Sequence, residues 1–232
     1  MVDRTLSDMS SHASATAGWS DLAANAPGIT ILHEAARRRR EEGEGADRSW
    51  RVGADGELAV AALLTELTGP SSLRRRTPSW RVLHSIPVGE RPRDIDHLLI
   101  GPPGVVTINT KHHREGRLVV DGDAIRIDDI TTEYVARSRE EAAVTSALLG
   151  AALRRAGRHQ LAAALDVRPV IAVLGGLLHV VRWPAGVTVT TTTRLVHALR
   201  TLPARIDSAA TDAIFEVARR STTWQLESVG NS

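Results

Sequence analysis

Cysteine is absent from the 232 residues, which excludes disulfides, thiolate metal sites and cysteine nucleophiles and fits a reducing compartment. Lysine is nearly absent: Lys111 is the single lysine among 29 basic residues, every other one being arginine. Aromatic residues are few, five Trp with one Tyr and one Phe. Leu, Val, Ala and Ile must therefore fill the interior, and stacking of nucleobases on Phe or Tyr is disfavoured as a binding mode. No apolar run reaches the ~18 to 20 residues of a membrane span; the longest, VIAVLGGLLHVV from Val170, lies between Pro169 and Arg182. The amino terminus has no apolar segment behind a basic start. These absences lead us to expect a soluble, cytoplasmic protein without membrane association, and nothing in the sequence names a protein partner.

What is present suits one sizeable domain, because domains of roughly 100 to 200 residues are typical and a hydrophobic content of 42% supports a packed core. The net charge of +2 conceals an uneven distribution. Residues 1–70 carry 7 basic and 11 acidic groups, residues 71–120 carry 9 and 4, and the remainder carry 13 and 12. Positive charge is thus concentrated around the lysine, where a local field can steer an anionic partner, although a solvated arginine surface has the same composition.

Residues 1–49 are rich in Ser, Ala, Gly and charge and read as a mobile polar leader with one short helix-like piece around ILHEAARRRR. Residues 50–232 read as the folded domain. WRVGADGELAVAALLTELTG predicts a helix starting at Asp55 or Gly56, with Leu58, Ala61, Ala62 and Leu64 as its apolar stripe and Gly69-Pro70 as its stop. WRVLHSI, DIDHLLIG and GVVTINTK then predict three strands, and GRLVVDG with DAIRID a hairpin turning at Asp121-Gly122. A long helix is expected from about Thr132 to Gly157. The strands VRPVIAVLGG and GVTVTTTT follow, the first apolar enough to be covered on both faces, and two helices near TRLVHALRTL and DSAATDAIFEVARR end the order. The expected fold is α/β or α+β, a single sheet flanked by helices.

DIDHLLIGPPGVVTINTK carries the chemistry. Two prolines cannot take the positive-φ positions of a two-residue primed turn, so a longer symmetric loop over Gly101–Gly104 is expected. With that centre, paired residue numbers sum to 205, which sets Asp96 opposite Asn109 and Asp94 opposite Lys111. Alternation puts Thr107, Asn109 and Lys111 on one face, and Val106 and Ile108 on the other with Ile95 and Leu99. Directly opposed residues lie ~4.5 to 5.5 Å apart, close enough for carboxylates, an amide and an ammonium to share one ligand. Carboxylates beside a lysine suit metal-assisted phosphoryl chemistry: Mg²⁺ takes one or two carboxylates plus phosphate and water, and an ammonium is a compact point charge that arginine's planar fork does not reproduce. An Asp–Lys pair across a hairpin is also an ordinary surface salt bridge.

GADGE at a helix start, then RDIDHLLIGPPGV, then VVTINTKHH resemble the NERD (nuclease-related) domain, a branch of the PD-(D/E)XK nuclease superfamily, over about Trp50 to Val120. The resemblance implies a restriction-endonuclease-like mixed sheet flanked by helices and a Mg²⁺- or Mn²⁺-dependent phosphodiesterase acting on DNA or RNA. It implies Glu57, Asp96, Asn109 and Lys111 as catalytic positions, with Glu57, Asp96 and Asn109 around the metal. Asn109 departs from the pattern, because that position is usually Glu or Gln, and a neutral amide weakens cation binding; Asp94, on the same expected face, is a candidate to compensate. Three uses remain open for such a chain: a nuclease, a nucleic-acid-binding module that has lost cleavage, and a scaffold without a nucleic acid role.

Other residues have blander uses. Glu57 can serve a helix dipole, and Gly53 and Gly56 the turn into the helix. His112 and His113 point to opposite faces and cannot chelate one ion together, and His97 faces away from Asp96. Arg74, Arg75 and Arg76 suit nonspecific phosphate contacts.

Overall fold

The computed structural model describes residues 18–43, 48–69, 80–89, 94–113 and 115–225. Helices α1 (Ile29–Glu42) and α2 (Arg48–Thr68) precede three antiparallel strands, β1 (Arg81–Pro87), β2 (Asp94–Gly101) and β3 (Gly104–His112). Three short strands follow, β4 (Arg117–Asp121), β5 (Ala124–Ile127) and β6 (Ile130–Thr132), then α3 (Tyr134–Arg155) and α4 (His159–Ala163). Then come β7 (Val167–Leu174), β8 (Leu177–Arg182), β9 (Thr188–Thr191), α5 (Thr192–Thr201) and α6 (Ser208–Ala218), followed by a 3-10 turn at Ser221–Trp224.

The strands form two sheets rather than the single one expected: a five-stranded sheet ordered β1-β2-β3-β7-β9 and a four-stranded one ordered β6-β5-β4-β8. The difference arises in the long apolar run, which breaks at Gly175 and Gly176, with φ of 74° and 66°. Glycine takes this left-handed conformation without steric cost, so β8 leaves the first sheet and pairs in parallel with β4. β7 is covered on both faces as expected, Val170 and Ala172 packing on one side and Ile171 and Val173 on the other. Its parallel pairing with β3 requires the long crossover through β4–β6, α3 and α4. The architecture is a mixed α/β fold consistent with a restriction-endonuclease-like domain.

The helix expected from Asp55 begins at Arg48, and its buried stripe is Ala54, Glu57, Val60, Ala61, Leu64 and Leu67, leaving Leu58 46% exposed and Ala62 on the solvent side. Gly53 and Gly56 lie inside this helix instead of at its turn. A Cβ on Gly56 would stand 3.0 Å from His112 Cβ and 3.2 Å from Thr110 Cγ2, so the bare backbone there lets α2 lie close on β3.

Residues 18–43, expected as part of a mobile leader, are packed on the domain. Leu22 is 4% exposed within the core formed by Ile86, Leu98, Leu149 and Trp224. Asp21 pairs with Arg219, the Leu22 N–H donates to the Arg219 carbonyl (2.8 Å), and the Asn25 amide donates to the Ser85 carbonyl (2.9 Å). The polar composition of this segment hid the one leucine that anchors it. Residues 1–17 of the expected leader lie outside the described residues.

Two further expectations shift slightly. The β4–β5 turn is centred on Gly122 and Asp123, with Asp121 and Ala124 as the closing pair. The β2–β3 connection is shorter than the loop expected: Gly101 pairs with Gly104 and only Pro102 and Pro103 lie between. The positive φ that prolines refuse falls on Gly104, at 100°.

Candidate active site

The β2–β3 register is the one expected, His97 with Ile108 through Gly101 with Gly104, each pair summing to 205. Beyond His97 the ladder stops. Asp96 does not pair with Asn109, nor Asp94 with Lys111; instead the Thr110 N–H donates to Asp96 Oδ2 at 2.7 Å. On the other edge of β2, pairing with β1 runs through His84–His97 and resumes at Ile86–Ile95, omitting Ser85 and Asp96. Ser85 carries φ 46°, which is strained for a residue with a side chain. The alternation of faces breaks at this point. Ile95 therefore packs with Ile86 and Leu98, while Leu99 lies with Val106 and Ile108 on the opposite side, contrary to the shared face expected for Ile95 and Leu99.

The carboxylate of Asp96 thus sits at a kink where two strands separate, and helices on both faces of the sheet send acids toward it. From α2 comes Glu57, 1% exposed, whose Oε2 accepts the Gly28 N–H at 3.1 Å. From α3 comes Glu141, whose Oε2 accepts the Asn109 amide at 3.1 Å. Asp94 lies at the start of β2, and Thr30 in the first turn of α1 partly offsets the effect of burial on its carboxyl. Lys111, half-buried at the end of β3, holds its Nζ 4.9 Å from the Tyr134 ring centroid.

Among the described residues, four carboxyls with one nearby ammonium make an electrostatically unbalanced cluster. Burial, followed by the charges of Asp96 and Asp94, raises Glu57 well above the usual carboxylate range, opposed by the Gly28 N–H and Lys111. Burial also raises Asp96, against the lowering effect of Lys111 and the Thr110 N–H. Glu141 is pushed up to about 8, first by burial and then by Asp96, and burial raises Asp94. Desolvated carboxylates with so little compensating charge take up protons or a cation.

Asp94 Oδ2, Asn109 Oδ1 and Glu141 Oε1 are buried without a hydrogen-bond partner, and such oxygens are hard ligands of the kind Mg²⁺ prefers. No group of three or more His, Asp or Glu side chains among the described residues forms a ready-made metal cage. Mg²⁺ typically takes one or two carboxylates and completes its shell with water and substrate phosphate. The donor set present therefore fits such a cation.

The histidines divide as alternation requires. His112 Nδ1 donates to the Val52 carbonyl at 2.7 Å, toward α2, and His113 Nε2 lies 3.3 Å from the Tyr134 hydroxyl. His97 is fully buried, 2.8 Å from His84 through their Nδ1 atoms, and burial lowers it to about 3. Arg74, Arg75 and Arg76 lie outside the described residues.

Sequence reasoning missed four contributors. Glu141 stands in an alanine-rich helix beside the exposed Glu140 and reads as solvent-facing charge; the available signal was its spacing from Ser138 and Thr145, small polar residues that are both buried. Gly28 and Thr30 were hidden in the presumed leader. Tyr134, the only tyrosine, carried no motif.

No helix among the described residues is long and apolar enough to cross a membrane. Neither the curated proteins nor the solved structures give a match to this chain. The family model for the nuclease-related domain matches residues 52–173, a span that starts in α2, contains every acid and the lysine of the cluster, and ends on β7 beside β3. Covering more than half of the chain, that match makes this protein a member of the nuclease-related domain family, within the PD-(D/E)XK-like nuclease superfamily.

Proposed function

We propose that the protein is a divalent-cation-dependent nuclease that hydrolyses phosphodiester bonds in DNA or RNA. The observation that carries this reading is the buried Asp96 carboxylate at the strand kink, with Lys111 as its foremost opposing charge and Glu57 within its electrostatic reach. Asp96 and Asn109 are the residues to hold Mg²⁺ or Mn²⁺, with Glu57 on the α2 side. When bound, the cation lowers the pKa of a water and polarises the phosphoryl oxygens.

The chain's own groups do the rest. Lys111 places a positive charge where the phosphate's negative charge grows in the transition state and orients the attacking water. Hydrolysis adds that water across one P–O ester bond: its oxygen bonds to phosphorus, the ester oxygen leaves, and the proton balance closes on the leaving oxygen. The Tyr134 ring beneath the ammonium limits the directions in which Lys111 can point.

The neutral Asn109 favours a second reading, a module that binds nucleic acid through the basic region 71–120 and cleaves poorly or not at all. Cleavage assays on supercoiled, linear and single-stranded DNA and on RNA, with Mg²⁺ or Mn²⁺, separate the two. Metal-dependent cutting is expected, lost by at least ~100-fold in Lys111→Ala, as for removal of one transition-state electrostatic contact. Salt-sensitive binding without cutting would establish the module instead. Absence of both would leave a scaffold without a nucleic acid role.

A further inference from the structure

The sequence pattern leaves an amide where a charged ligand is usual, and the structure sets a carboxylate directly against that amide. Asn109 Nδ2 donates to Glu141 Oε2 at 3.1 Å. This bond fixes the orientation of both side chains: the amide turns its nitrogen to Glu141 and frees its oxygen. Asn109 Oδ1 and Glu141 Oε1 are then both buried, and neither has a hydrogen-bond partner. Buried polar atoms are rarely left this way, and two from one bonded pair, within the electrostatic reach of Asp96, point to a ligand.

Among the described residues, the cation whose charge reaches Glu141 is Lys111, which Asp96 and Glu57 share. Ser138 and Thr145, which flank it on the buried side of α3, also hold unpartnered hydroxyl oxygens, as does Thr107 two residues before Asn109 on β3. A polar seam therefore runs between α3 and β3 and ends at Asp96 and Lys111. A structural role alone would be served better by an apolar residue at this position, because an unpaired buried carboxylate costs stability.

Resting on the nuclease reading above, we infer that Glu141 supplies from helix α3 the charged oxygen that position 109 on β3 lacks, so that the cation site is Asp96, Asn109 and Glu141. The negative charge has moved from the strand to the facing helix, and Asn109 is both a neutral ligand and the residue that orients its replacement. Asp94, the compensating acid expected from sequence, also keeps a buried oxygen, Oδ2, without a hydrogen-bond partner, but the carboxylate bonded to the Asn109 amide is that of Glu141.

The test is cation affinity, measured without substrate. Binding of Mn²⁺ is followed by loss of the free-ion electron paramagnetic resonance signal, with Mg²⁺ as competitor, and folding of each variant is checked by circular dichroism. The wild-type protein is expected to bind one Mn²⁺, Asp96→Asn to abolish binding, and Glu141→Gln to weaken it by about 10-fold or more. The double variant Asn109→Glu with Glu141→Gln, which returns the charge to the strand, should recover most of that loss. Glu141→Gln binding Mn²⁺ as tightly as wild type while Asp96→Asn fails would overturn the role of Glu141 and leave the nuclease reading intact. A folded wild-type protein that binds no Mn²⁺ would remove both. Weakening by Glu141→Gln without recovery in the folded double variant would also overturn the charge-relocation inference, because the carboxylate would then act in some way that position 109 cannot replace.

Discussion

At the residue scale, Glu57, Asp96 and Lys111 could be read from the sequence because each stands in a motif whose local geometry is short-range. Glu57 carries a second signal that periodicity supplies: it falls on the same stripe as Ala54, Val60, Ala61 and Leu64, and an acid on a buried stripe is rarely there for solubility. Glu141 had no such motif, and its role depends on a helix packing against a strand 32 residues away. Gly56 gives a direct test of how the site is held together. Alanine in a helix interior is favoured over glycine by about 1 kcal/mol. The added methyl, however, would meet His112 and Thr110 at 3.0 and 3.2 Å, and overpacking costs about 1–3 kcal/mol. Gly56→Ala is therefore expected to lower the melting temperature where propensity alone would raise it. The same push against β3 should reduce metal-dependent cleavage.

Among the elements, the amino-terminal segment departs most from what its composition suggests. Its buried apolar side chains are Leu22 and Ala35, Leu22 entering the core under Trp224, and its contact with the site is around the first turn of α1, where the Gly28 N–H reaches Glu57 and Thr30 acts on Asp94. The positive end of a helix dipole favours nearby carboxylates, so α1 steadies two acids that burial otherwise disfavours. Leu22→Ala should cost about 2–5 kcal/mol in urea unfolding, as for other buried leucines. A leucine in a mobile leader would change nothing, and that result would detach α1 from the fold. The β2–β3 ribbon illustrates the opposite case. Its register was legible because the GPPG turn fixes the sum of paired numbers. Its kink was not, because the positive φ falls on Ser85, a residue with no turn signature.

For the whole molecule, the buried acids set a pH dependence of definite sign. Glu141 is raised to about 8 from an ordinary 4.5, and Glu57 is raised in the same direction. Between those limits the folded protein holds protons that the unfolded chain has released, so stability falls as pH rises. His84 and His97, both lowered by burial, act oppositely on the acid side, where the unfolded chain binds the extra protons. Above about pH 7 the unfolded histidines are mostly neutral and the acids dominate. Urea unfolding in the presence of a chelator should therefore show stability declining from pH 7 to 8, by at most about 1.4 kcal/mol per pH unit for each group. Glu141→Gln should flatten that decline; an unchanged slope would mean that Glu141 ionises freely in the fold.

The sequence by itself determined the order of the main helices and strands without β6, α4 and a separate β8, the hairpin register from His97–Ile108 to the turn and three charged positions proposed for the site, because turns, alternation and helical stripes are set within a few residues along the chain. Only the tertiary structure decided that a second sheet splits off at Gly175-Gly176, that Leu22 anchors the amino-terminal segment, and that Glu141 faces Asn109. Those outcomes depend on which surfaces meet after the elements form, and burial, which gives a carboxylate its chemistry, is a property of that meeting.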